Sequence, residues 1–228
     1  MKGFKLVYSL VFIASFAAAT AQTSGQSATA YGDGRTVSAR KETAGATQGT
    51  QYINEKYMPA KVSNKDMPVM VRYNAYNDYF EFTTPENQAA QTLAKEQGVT
   101  ITFNMNGQQY ALVKYKTDKD EVVDGYLTVI SDGPKVKIYK RERIYFQPER
   151  EAANSYQPAK AAAYKRADDE YYVKVGDAEA VFFDGKKEFA KLIPGKNKEV
   201  LDYIKDNKLD VEKDTDLVKV ASYIQTLI

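Results

Sequence analysis

From Tyr52 onward the hydrophobic and polar positions follow the two-residue period of strands, and the period becomes helical only near the C-terminus. Residues 68–74 and 79–82 read as short strands separated by the turn pair Asn77-Asp78. Thr83, Pro85 and Glu86 carry the signals of a helix start, which predicts a helix to about Gln97, stopped by Gly98. Asn106-Gly107 predicts a two-residue hairpin turn that pairs Met105 with Gln108, Phe103 with Tyr110 and Ile101 with Leu112. In that register Phe103, Tyr110, Ile101 and Leu112 share one face, and Asn104, Gln109, Thr102 and Ala111 share the other, as a one-sided antiparallel sheet requires.

Strands at about 123–130 and 135–141 follow, joined by Ser131-Asp132-Gly133-Pro134. A second hairpin at Gly176-Asp177 is expected to pair Val175 with Ala178, Val173 with Ala180 and Tyr171 with Phe182, and to set Lys174 against Glu179. Between them, residues 147–168 hold Pro148, Pro158 and an alanine run, which predicts an extended crossing with one helical turn. Short helices are expected at 186–193, ended by Pro194-Gly195, and at 196–206. A longer one runs from about Thr215 to the end, capped by Asp214, with Leu217, Val220, Ala221, Ile224 and Leu227 on one stripe. The expected fold class is α+β: a curved antiparallel sheet of about seven or eight strands, approaching a half-barrel, with the C-terminal helices packed against it.

The N-terminus does not belong to that pattern. Lys2 and Lys5 precede an apolar stretch over 6–19, and Ala19-Thr20-Ala21 fits the small-x-small cleavage rule, so residues 1–21 read as a signal peptide. Residues 22–50 are rich in Ser, Thr, Gly, Ala and Gln and read as a flexible linker, which leaves 51–228 as a single domain. The formal charge of +2 comes from the leader: without Lys2 and Lys5, 30 basic residues balance 30 acidic ones. No overall field would draw the mature chain to nucleic acid, and nothing predicts a membrane span after cleavage.

Residue absences narrow the chemistry. With no Cys and no His, disulfides, thiolate or imidazole metal sites, and Cys–His or Ser–His–Asp nucleophile systems have no parts. Carboxylate chemistry, Lys or Tyr bases and oxygen-ligated cations remain. The Asp118–Asp124 acids fail as a calcium loop because Val122 and Val123 occupy positions of a ligand and the turn glycine. Gly195-Lys196 and Gly32-Asp33-Gly34 lack the context of phosphate and dinucleotide loops. No catalytic, metal or cofactor residues are assigned, and the chain reads as a non-enzyme.

The segments RYNAYNDYFEF at 72–82, YKRERI at 139–144, YY at 171–172 and KLIPGKNKEVLDYIKDNKLD at 191–210 resemble a group of exported, uncharacterised proteins of Bacteroidota, over roughly residues 49–228. The resemblance implies a periplasmic home in a two-membrane bacterium and no particular activity.

Eighteen tyrosines with no tryptophan are the compositional oddity. Tyr73, Tyr76 and Tyr79, beside Phe80, form a dense cluster, and tyrosine suits sugar rings and protein hot spots as well as strands. On a continuous strand, Lys137, Tyr139, Arg141, Arg143 and Tyr145 would face one way, a surface for anionic headgroups or an acidic partner. Asp168-Asp169-Glu170 is the best pattern for acid–base hydrolysis, and also an ordinary solvated turn. The leading expectation is a periplasmic binding or interaction protein that presents a Tyr-rich sheet surface to an envelope protein, glycan or lipid. The alternatives are a lipid or glycan carrier with a cup-shaped sheet and, less favoured, a hydrolase centred on Asp169 and Glu170.

Overall fold

The structure is a computed structural model that describes residues 45–85, 88–152, 156 and 158–228. The expected signal peptide and most of the expected linker lie outside the described residues.

Twelve strands and three helices make up the described chain. β1 (Met58–Val62), β2 (Val69–Asn74), β3 (Tyr79–Thr83), β4 (Gln91–Thr92) and β5 (Thr100–Phe103) come first. β6 (Gln109–Lys116), β7 (Val122–Asp132) and β8 (Val136–Arg141) are the long central strands. β9 (Ile144–Gln147) and β10 (Ala163–Arg166) pair with each other as a separate antiparallel ribbon. β11 (Glu170–Val175), β12 (Ala180–Phe183), α1 (Gly185–Lys191), α2 (Asn197–Asp206) and α3 (Asp214–Leu227) complete the chain.

Ten strands form one sheet in the order β12-β11-β8-β7-β6-β5-β1-β2-β3-β4. β6 is where it divides. One edge of β6 pairs with β7 from Tyr110 to Lys116. The other edge pairs with β5 at Gln109–Ala111, then with β12, in parallel, at Tyr115 and Lys116. The sheet therefore closes on itself through β6, β7, β8, β11 and β12, and continues past β5 as an open arm.

Two-residue alternation gives β6 a buried residue on each face. Tyr110 and Leu112 enter the core of the open arm, with Phe80, Val71, Ile101 and Tyr126. Val113 and Tyr115 enter the closed section, where Leu127, Tyr139, Tyr172 and Ala180 meet them. These five-strand interiors leave room for side chains only, and here they are filled. A third core lies outside the closed section, where Val136, Ile138 and Val173 take the apolar stripes of α2 and α3. Leu217, Val220, Ala221 and Ile224 are all buried there, as the helical spacing predicts.

Several expectations need correction. The sheet has ten strands, because Met58–Val62 and Gln91–Thr92 also join it, and Ile144–Gln147 and Ala163–Arg166 make two more in the ribbon. Among the described residues of 83–97, the expected helix does not form. Leu93 is the one large buried apolar residue between 84 and 98, so no stripe exists to bury a helix, and Leu93 N–H instead bonds Phe80 C=O. The first hairpin closes at Phe103 and Gln108, and its register sets Ile101 opposite Tyr110. This two-residue slip preserves the faces and leaves Met105 exposed. The second hairpin slips by one residue, pairing Tyr172 with Phe182 and Tyr171 with Phe183. The slip turns Ala180 and Phe182 into the closed section, and Glu179 pairs with Lys114 rather than with Lys174. Asp214 caps no helix; its carboxylate accepts from Lys140 and from the Tyr171 hydroxyl.

The residues leading into β1 already touch the domain. Gln48 N–H bonds Ala162 C=O, and Tyr164 N–H bonds Gln48 C=O. At Gly49, with φ of +73°, a Cβ would sit 2.4 Å from the Tyr164 carbonyl oxygen, so only glycine lets the chain pass.

Candidate binding groove at the barrel mouth

The charged run Lys140-Arg141-Glu142-Arg143 spans the break between β8 and β9, and its four side chains go to different places. Lys140 turns toward α3, where its Nζ lies 2.6 Å from Asp214 and 3.8 Å from Asp169. Arg141 points into the closed section's mouth, 3.3 Å from Glu170, with its guanidinium 5.5 Å from the Tyr115 ring centroid. Glu142 is buried on the other side and accepts hydrogen bonds from Tyr110, Thr128 and Gln108. Arg143 lies 2.5 Å from Glu170, and its Nε has no hydrogen-bond partner. Arg166, on the ribbon, bridges Glu142 at 2.8 Å and Asp169 at 3.0 Å.

This network explains the acids and tyrosines together. Burial raises the Tyr172 hydroxyl well above its ordinary value, and the hydrogen bond to Glu170 adds to the rise. Burial and Glu142 do the same to Tyr110. Burial pushes Tyr115 up to about 12. A buried tyrosine needs an acceptor, and for Tyr110 and Tyr172 carboxylates supply it while arginines neutralise their charge.

Against this network lies an open groove of about 830 Å³. Arg143, Tyr145 and Arg166 to Tyr171 line it, the first three carried on or beside the β9–β10 ribbon. Phe182, Phe183, Asp184 and Gly185, at the end of β12 and the start of α1, line it too, with Val211 and Glu212. Asp169 and Glu170 line it, but both are held by arginines. Asp168 is exposed and takes part in no ion pair among the described residues.

The structure separates the eight candidate residues. Tyr73 is buried in the arm core, and its hydroxyl donates to Asp78 at 2.8 Å. Tyr76 is 44% exposed and meets Tyr164 edge-on. Tyr79 is half-buried and donates to Glu81. Lys137 pairs with Asp132 at 2.5 Å. Tyr139 is buried among the closed section's interior residues, and burial pushes it up to about 12. Lys137, Tyr139 and Arg141 do share a face of β8, but the strand ends at Arg141. Arg143 and Tyr145 lie past that break, and of this set only they line the groove.

Sequence reading missed Glu142 as a buried hub, and missed Arg166, Phe182, Asp184 and Glu212 as groove residues. No local signal marks them, because the groove joins segments as far apart as Arg143 and Glu212. Among the described residues, no group of acids is placed to hold a metal ion, and no helix is long and apolar enough to cross a membrane. Compared with known proteins, the chain matches no family model, no curated protein and no solved structure.

Proposed function

We propose that this chain is an exported, periplasmic binding protein that recognises an envelope partner at its surface, through the groove at the closed section's mouth. One observation carries the reading: the interior that would hold a carried molecule is packed with Tyr115, Leu127, Tyr139 and Tyr172, while the groove is open and edged with charge. The aromatic surface is smaller than the tyrosine content suggests, because most strand tyrosines are core. Tyr145, 48% exposed at the groove, is the aromatic group best placed for contact. For the hydrolase reading, Asp169 and Glu170 would need an acid and a base in unlike environments, and both are instead paired with arginines.

A photocrosslinking side chain placed at Tyr145, with one at exposed Met105 as control, tests this in intact envelopes. A discrete adduct from position 145 and none from 105 is expected. Recovery of the bare chain from both counts against the reading, and lipid or glycan co-purifying in native mass spectrometry would favour the carrier. Periplasmic fractionation with N-terminal sequencing should find a mature chain that begins at Gln22.

A further inference from the structure

Three features of the groove, taken with the binding reading above on which this inference rests, point to the chemistry of the partner. The first is charge. The groove's arginines, Arg143 and Arg166, are already neutralised by Glu170, Glu142 and Asp169. Asp168, Asp184 and Glu212 line it as exposed residues with no ion pair among the described residues. The charged side chains that line the groove without an ion-pair partner among the described residues are therefore these three carboxylates. The second is an open strand edge. β12 meets β6 only at Ala180 and Val181, so beyond them no strand among the described residues covers the outer side of Phe182 and Phe183. That is where β12 lines the groove. The third is Tyr145, an exposed ring that also lines the groove, suited to stacking on a cation or an aliphatic stem.

We infer that the groove binds an extended, lysine- or arginine-bearing peptide segment of a partner protein. The segment adds its backbone beside Phe182 and Phe183. It sets its cationic side chains on Asp168, Asp184 and Glu212, and lays one stem across Tyr145. A small polycation would satisfy the carboxylates but would leave the strand edge unused. The strand edge is what favours a peptide.

Fluorescence anisotropy with the mature chain tests this, using a labelled octapeptide of alternating Lys and Val, its Glu-Val counterpart, and spermine as competitor. The Lys-Val peptide should bind and weaken as salt rises. The triple variant Asp168→Asn, Asp184→Asn, Glu212→Gln should lose roughly ten-fold in affinity, since exposed pairs contribute modestly one by one. All three positions are exposed, so its circular dichroism should match the parent chain. Tyr145→Ser, which leaves the charges in place, should also weaken the peptide. Equal binding of the Glu-Val peptide, an unchanged triple variant, or spermine displacing the peptide at equal concentration would overturn the inference. If no peptide binds while position 145 still crosslinks a partner in envelopes, the basic-peptide assignment falls and the binding reading stands. If neither occurs, both fall.

Discussion

The open arm and the closed section use tyrosine differently, although they share β6 and β7. In the arm, Tyr73, Phe80, Tyr110, Tyr126 and Phe103 pack as one aromatic cluster, with Phe80 within 5.2 Å of three tyrosine ring centroids. Their hydroxyls reach outward to separate acceptors: Tyr73 to Asp78, Tyr110 to Glu142, and Tyr126 to the Ala94 carbonyl. In the closed section the ring contacts inside are a shorter chain, Tyr115 to Tyr172 at 4.7 Å and Tyr172 to Phe182 at 5.8 Å, and the polar groups crowd one mouth. Glu170 there accepts from Tyr172 and pairs with two arginines. A sheet with an open side spreads its polar ends along a rim. A sheet that closes has only its mouths for them. The charged groove follows from closure, because the acceptors and their arginines have nowhere else to go.

The largest effect expected from breaking this comparison is in the arm. Phe80→Ala removes the ring every neighbour touches and should cost about 3–5 kcal/mol, a large share of a domain's stability. Because β6 serves both regions, urea unfolding of this variant should remain a single transition. Two separated transitions would show that the arm folds alone.

Tyr110→Phe is next. It strips an acceptor's partner from buried Glu142 and should cost about 1–3 kcal/mol by the same measurement. Gly125→Val probes the junction itself, since a Cβ there would lie 3.0 Å from both the Asp78 carboxylate of the arm and the Tyr115 ring of the closed section. About 1–3 kcal/mol is expected.

The tyrosines set an alkaline limit. Burial raises Tyr73, Tyr110, Tyr115, Tyr126, Tyr139, Tyr171 and Tyr172 above their ordinary value of 10.0. A raised value means the folded state holds protons that the unfolded state releases. The contribution is therefore complete below the unfolded value and is lost as pH rises toward the folded ones. Tyrosinate absorbance from these seven buried groups should appear together with cooperative unfolding. Smooth titration of all of them in a folded chain would contradict the burial.

Glu81 gives the opposite and smaller dependence. Burial pushes its carboxyl up, but hydrogen bonds from Arg72, Tyr52 and Tyr57 outweigh that and hold it below the usual value. A lowered value contributes above the unfolded pKa and fades as pH falls through the folded one. Glu81→Gln should lower stability at neutral pH, flatten the acid limb because that contribution is no longer there to lose, and change little at pH below the folded value. Smallest of all, Tyr145→Ser should shift stability by less than about 0.5 kcal/mol, since its ring is exposed, so any loss of partner binding reports on contact alone.

Local pattern carried the elements whose partners lie nearby. The stripe Leu217, Val220, Ala221, Ile224 and the strand pairs around Asn77-Asp78 and Asn106-Gly107 were legible because periodicity and turn chemistry act over a few residues. The hairpin registers slipped because turn length is settled by what the strands bury, and the one-residue slip at Gly176 came from Ala180 and Phe182 fitting the closed interior. The expected helix from Thr83 failed for a related reason: caps start a helix, but only a buried face keeps it.

Missing Cys and His, the zero charge balance over residues 22–228, and the strand-rich composition belong to the sequence by itself, and they limit the chemistry before any fold is known. The Arg141, Glu142 and Arg143 fates, the acid acceptors of the tyrosines, and the groove were decided by tertiary structure alone. Neighbours in the chain share a local conformation, but closing the sheet at β12 and β6 sends them to different cores, and no local period records that closure.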